Sequence, residues 1–258
     1  MHIDPLYSVA GVLVGMLVGL TGVGGGSLMT PLLVLAFGFH PATAVGTDLL
    51  YASATKVVGT GVHGWRGSVD WRVVRRLATG SIPATLLTLL VLSKVGVRSP
   101  SLDHAINAAL GSALVLTGAA TFFRARIVAR LQHHFTAASE RRIARLTGVL
   151  GATLGVLVTL TSVGAGALGM TALLVLYPRA PIARLVGSDI AHAVPLTLVA
   201  GLGHLALGSV DAGLLVSLLL GSVPGVIGGS LLATRVSERV LGPVLAATLV
   251  VVGAKLLL

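Results

Sequence analysis

The sequence predicts an all-α integral membrane protein made of two inverted repeats, and three observations carry that prediction. First, 55% of the 258 residues are hydrophobic and only 10% charged, with a mean hydropathy of +0.98. A soluble domain of this length needs far more polar surface. Second, the apolar residues fall into ten runs separated by short polar or glycine-rich breaks. Third, the runs repeat. An offset of 141 aligns Gly46-Thr47-Asp48 with Gly187-Ser188-Asp189, His63 with His204, Gly67-Ser68-Val69-Asp70 with Gly208-Ser209-Val210-Asp211, and Gly80-Ser81-Ile82-Pro83 with Gly221-Ser222-Val223-Pro224. An offset of 140 pairs Gly11 with Gly151, Gly15 with Gly155, Thr21 with Thr161 and Gly24 with Gly164. Chance similarity between greasy segments would match Leu to Val, but would not keep rare Asp, His and Pro in step.

In chain order the runs lie near 6–20, 27–39, 42–63, 77–97 and 104–123, then 147–160, 166–178, 186–207, 211–233 and 240–258. An apolar helix needs about 20 residues to cross the hydrocarbon core. The last three runs of each half reach that length. The first two do not, and are expected to form a short broken or re-entrant pair. Residues 1–123 form the first repeat and 147–258 the second, in one compact membrane domain. Between them 124–146 is a basic connector carrying Arg124, Arg126, Arg130, Arg141, Arg142 and Arg145. It is too short to be a domain and suits an interfacial turn of helix.

Basic residues set the expected orientation. With the connector in the cytoplasm, the segments holding Arg66, Arg72, Arg75, Arg76, Arg179, Arg184, Arg235 and Arg239 also come out cytoplasmic, leaving Lys94, Arg98 and Lys255 outside and Lys56 within a span. Equivalent loops then lie on opposite faces, which makes the repeats inverted and places both termini outside a cell (inner) membrane. The net charge of +10 is explained by this topology, so no nucleic-acid partner is expected. The start, Met1-His2-Ile3-Asp4-Pro5, lacks a basic n-region, so no cleavable signal is expected. No cysteine is present for a thiolate metal site or nucleophile.

Candidate chemistry begins with Thr21-Gly22-Val23-Gly24-Gly25-Gly26-Ser27, between the first two runs, and its weaker copy Thr161-Ser162-Val163-Gly164-Ala165-Gly166-Ala167. Free backbone N–H groups of Gly24, Gly25, Gly26 and Ser27, at the start of the next half-helix, would face an anion at mid-membrane. Hydroxyls of Thr21, Ser27, Thr161 and Ser162 would add donors, with Gly164 and Gly166 shaping the second break. The structural alternative is a tight turn and close helix packing. The first copy is richer in glycine and hydroxyl, so it is expected to supply more of the donors.

Asp48 and Asp189 each follow Gly and a hydroxyl residue near the start of a long run. They read either as helix caps or as carboxylates coupling transport to H+ or Na+. Lys56 lies too deep to reach an interface easily; it would pair with Asp48 or face the translocated anion. His63 and His204 read as interfacial, and His192 shares a helix face with Asp189. Asp70 and Asp211 read as caps of the following helices. No HExxH, carboxylate pair or Ser/His/Asp set has catalytic spacing, so no enzyme, metal or cofactor is expected.

Gly22-Val23-Gly24-Gly25-Gly26-Ser27 followed by Pro31-Leu32-Leu33, with Ala44-Val45-Gly46-Thr47 and the inverted duplication, resembles the TauE/SafE family of anion exporters over about residues 6–257. The resemblance implies a membrane transporter for sulfite or organosulfonates such as sulfoacetate. Many members have Ser where this chain has Asp48, which sets its carboxylate and Lys56 apart. The expected activity is export of a small anion by alternating access at the repeat interface. Uptake of a small sulfur oxyanion, a passive anion channel, or a membrane scaffold are the alternatives, and a homo-oligomer is compatible with all of them.

Overall fold

The computed structural model describes residues 4–21, 26–65, 69–96, 100–232 and 238–258, and every regular element among them is helical. The first half comprises α1 (Pro5–Thr21), α2 (Gly26–Leu35), α3 (Pro41–Trp65), α4 (Trp71–Val95) and α5 (Pro100–Phe122). The connector holds α6 (Arg124–Leu131) and a 3-10 turn, Gln132–Phe135, neither with a buried residue. The second half repeats the order with α7 (Glu140–Thr161), α8 (Ala167–Leu176), α9 (Ile182–Ala206), α10 (Ala212–Leu232) and α11 (Glu238–Leu257).

Five stretches are long and apolar enough to cross a bilayer: Trp71–Val95, Leu102–Phe122, Glu140–Thr161, Ile182–Ala206 and Ala212–Gly229. Pro5–Leu20, Ala167–Leu176 and Leu241–Leu257 are shorter apolar helices. One expectation fails here. The first helix of the second half is not short: α7 runs for 22 residues, because it begins at Glu140 inside the segment read as connector. Ser139 caps it by accepting a hydrogen bond from the Arg142 N–H at 3.4 Å. The Glu-Arg-Arg-Ile-Ala-Arg turns that follow are good helix formers, yet too charged to register as part of an apolar run. The ten-residue α2 and α8 are short, as expected.

The most extensive helix contacts all join one half to the other: α1 with α10, α4 with α7, α3 with α9, and α5 with α11. Exchanging each helix for its duplicate maps this set onto itself. The equivalent helices α3 and α9 run antiparallel, as do α5 and α11. Gly46, near the start of α3, packs on His204 and Ser209 at the end of α9, while Gly201 packs on Leu50. Gly111 meets Gly253, and Gly118 meets Ala246, in the α5–α11 pair.

The abundance of glycine follows from these interfaces. Along α1–α10, Gly221, Gly225 and Gly229 lie against the backbones of Ser8, Val12 and Met16. Along α4–α7, Gly151 and Gly155 lie against Leu77 and Ser81, and Gly80 against Gly148. A Cβ at any of these glycines would press on neighbouring backbone, so small residues set the helix separation, as in other membrane bundles.

Polarity is arranged inside out. Large apolar side chains such as Leu87, Val91, Val149, Leu231 and Val251 point outward, while Thr47, Ser81, Thr85, Thr159, Ser188 and Ser217 are buried. Basic helix starts cluster on one side: Arg76 of α4 bonds Glu140 of α7 at 2.7 Å and reaches the Tyr177 hydroxyl at 3.4 Å. Asp70 and Asp211 act as predicted. Asp70 accepts from the Arg72 N–H and Asp211 from the Leu214 N–H, both at 2.9 Å. Each also ties the halves together. The Asp70 N–H donates to Ser188 at 2.8 Å, and the Asp211 N–H donates to Thr47 at 3.0 Å. These two bonds are duplicates of one another.

Candidate functional site

Asp48 and Asp189 are the eighth residues of α3 and α9, so neither caps its helix. That reading is corrected: the chain begins its helix at Pro41 and at Ile182, which carries both carboxylates two turns into the bundle. Asp48 is fully buried and Asp189 is 5% exposed. Burial of two carboxylates requires compensation, and the two halves supply it differently.

Around Asp48 the partners are hydroxyls. Thr30 of α2 donates to Oδ2, and the side chain of Ser162, just beyond α7, lies against the carboxylate. Oδ1 and the Ser162 Oγ have no hydrogen-bond partner among the described residues. Around Asp189 the compensation is cationic. The charges of Lys56 and Arg124 both act on it, and its Oδ1 lies against the backbone of α8, where a Cβ on Gly169 would come within 2.7 Å.

Lys56 is half-buried and acts on Asp189 most strongly, then on Asp48 and on His192. The simple pair with Asp48 does not form. No carboxylate lies within 4.0 Å of its ammonium group among the described residues. Eight residues along α3 is about 12 Å, which keeps the two side chains apart. The Lys56 position is duplicated by Thr197, whose hydroxyl bonds its own helix at Ala193.

His192 is fully buried, with Nε2 2.8 Å from Ser81 of α4 and no hydrogen-bond partner for Nδ1 among the described residues. Its duplicate is Tyr51, which faces Ser222, the duplicate of Ser81. His204 lies in the last turn of α9, where it is fully buried, and its Nε2–H donates to the Thr159 carbonyl at 2.9 Å. The side chain of His63 lies outside the described residues.

The second glycine break is held by its own side chains. Thr161 ends α7, donating to the Leu157 carbonyl at 2.7 Å and accepting from the Val163 N–H at 3.1 Å. Ser162, Gly164 and Gly166 take φ of 59°, 118° and 130°, which only glycine adopts without strain. Two early N–H groups of α8 are taken up internally, Gly169 by the Gly164 carbonyl at 3.1 Å and Met170 by Gly166 at 2.8 Å. Of the first break, Thr21 ends α1, Gly26 begins α2 and Ser27 is buried. Gly24, Gly25 and the Thr21 side chain lie outside the described residues.

The structure therefore brings Thr30 and Ser162 to Asp48, while the charges of Lys56, from beyond 4.0 Å, and of Arg124 act on Asp189. Sequence reasoning missed Thr30 and Arg124. A signal for Thr30 exists: Met29-Thr30-Pro31-Leu32-Leu33 repeats as Met170-Thr171-Ala172-Leu173-Leu174 at the offset of 141.

The pattern of the family described as Sulfite exporter TauE/SafE matches residues 7–256. The chain belongs to the TauE/SafE family of membrane transporters. It is 39% identical over 248 residues to a probable membrane transporter protein, YjnA, of Bacillus subtilis (strain 168), covering 96% of this chain and 97% of the relative. A probable membrane transporter protein of Xylella fastidiosa (strain Temecula1) is 30% identical over 234 residues, covering 88% and 84%. No solved structure matches the chain with significance.

In this TauE/SafE protein the two repeats differ at one matching hydroxyl. Thr30 bonds Asp48, whereas its duplicate Thr171 bonds the Ala167 carbonyl at 2.7 Å within its own helix. Thr30→Val is expected to destabilise the protein by about 1–3 kcal/mol, the cost of leaving a buried charged acceptor unpaired. Thr171→Val is expected to cost under about 1 kcal/mol, since its partner carbonyl is already in the helix ladder. Thermal unfolding of both variants in detergent checks the difference.

Proposed function

We propose that this transporter exports a small anion, sulfite or an organosulfonate, by alternating access at the interface between its halves. The observation that carries this reading is Lys56, a cation deep in α3 with no carboxylate in ion-pair contact among the described residues, between the environments of Asp48 and Asp189. An ammonium within a membrane helix and without a close partner is costly, and a small anion entering the bundle relieves that cost. The Ser27 hydroxyl and the backbone N–H groups of Gly24–Gly26 and of the Gly164–Gly166 break are the candidate further donors.

The supporting symmetry is that of helices α3 and α9, which run antiparallel and carry the matching carboxylates. In inverted-repeat transporters one half rocks against the other around such a centre. Asp48 and Asp189 are the coupling candidates. H+ and Na+ gradients across bacterial membranes point inward, so coupling them to export takes the form of exchange, with a cation entering as the anion leaves. The clustered basic helix starts face the cytoplasm in this reading, and both termini lie outside.

The direct test is flux from proteoliposomes loaded with sulfite, sulfoacetate, thiosulfate or sulfate. Sulfite or sulfoacetate efflux accelerated by an inward H+ or Na+ gradient is the expected result. Equal passive leak of every anion, with no response to either gradient, would replace the carrier by a channel. Thermal stabilisation by none of these anions would count against the site altogether.

A further inference from the structure

We propose that Asp48, Thr30 and Ser162 form a binding site for a dehydrated sodium ion at the carboxyl end of α7, and that Asp189 does not. The inference deepens the transport reading by naming the coupling ion and its seat, but the binding itself is measured without any transported anion.

The end of a helix carries partial negative charge, because its last carbonyls have no intrahelical donor. α7 ends at Thr161, and the left-handed turn at Ser162 places that residue's side chain against Asp48. A fully buried carboxylate therefore stands at the negative end of a helix, an arrangement that demands a cation. Lys56 is a poor candidate for that role, being more than two turns along α3 and directed more strongly at Asp189. His204, the other titratable group at this junction, has its Nε2–H engaged by the Thr159 carbonyl.

The donor set fits a hard monovalent ion. Asp48 Oδ1 and Ser162 Oγ are both buried and without hydrogen-bond partners among the described residues. Thr30 Oγ1 donates its proton to Oδ2 and keeps lone pairs for a cation. Of the α7 terminal carbonyls, Val158 accepts from the Ser162 N–H and Thr159 from His204, which leaves Leu160 and Thr161 beyond the last helical donor. Carboxylate, hydroxyl and carbonyl oxygens are the ligands hard cations take, and broken helix ends supply them in membrane transporters. A strong carboxylate field favours the smaller Na+ over K+. Asp189 lacks this setting: its Oδ1 lies against Gly169 in the first turn of α8, and Thr171, the duplicate of Thr30, bonds its own helix instead of the carboxylate.

The test uses purified full-length protein in choline chloride, free of sulfur anions, with Na+ replacing choline at constant ionic strength. At ten times its dissociation constant Na+ should raise the unfolding midpoint by about 3–6 °C. K+ should give no comparable shift. Asp48→Asn should abolish the response, while Asp189→Asn should retain it. Ser162→Gly removes one ligand and relieves the positive φ, so it should fold at least as well yet need roughly tenfold more Na+ for the same shift. A midpoint indifferent to Na+, equal stabilisation by K+, a response surviving Asp48→Asn, or an unchanged Na+ requirement in Ser162→Gly would each overturn the site. Na+ stabilisation without any anion response would leave the site standing and remove the anion reading instead.

Discussion

Gly221→Val is expected to abolish recovery of folded protein. Any Cβ at residue 221 would overlap the Ser8 carbonyl oxygen, which is backbone of α1 and has no rotamer to yield. The two helices would have to separate, and Gly225 and Gly229, packed on Val12 and Met16 along the same seam, would lose their contacts with them. Overpacking typically costs about 1–3 kcal/mol, and backbone overlap on a continuous seam belongs at or above the upper end. Gly228 on the same helix meets nothing within 4 Å, so Gly228→Ala should be neutral or slightly stabilising. Size-exclusion recovery and thermal unfolding of the two variants separate the effects. Normal recovery of Gly221→Val would mean that α1 and α10 do not pack as described.

Lys56→Met is expected to lower anion affinity by roughly 10–100-fold, equivalent to about 1.4–2.8 kcal/mol. It also leaves Asp189 with one fewer compensating charge, so a loss of activity alone could reflect damage to the fold. The double variant Lys56→Met/Asp189→Asn distinguishes the two causes. Its folding should recover, because the buried charge is removed with its partner, while anion binding should stay weak. Recovery of anion binding in the double variant would show that Lys56 acts only by balancing Asp189.

Much of the architecture is legible in the sequence alone. Asp70 and Asp211 were readable as caps because a cap is a local event: a side chain meets an amide two or three residues on. The short α2 and α8 were readable because hydropathy reports the length of apolar chain. The start of α7 was not, since charged residues at a membrane surface extend a helix without extending its apolar run. Asp48 and Asp189 resembled caps because Gly-Thr/Ser-Asp reads as a helix start, yet each helix had begun two turns earlier.

What the sequence by itself determined is the helical membrane class, the duplication, and a short list of polar residues out of place in apolar surroundings. Those properties reside in composition, run length and offset, all of which survive without knowing where any helix sits. Only the tertiary structure decided how that list divides. Thr30 and Ser162 reach Asp48 from two other segments, Lys56 and Arg124 act on Asp189, and His204 is a buried donor to Thr159. Such partnerships depend on the rotation of each helix about its axis and on the close approach that glycine permits. Spacing along one chain segment encodes neither.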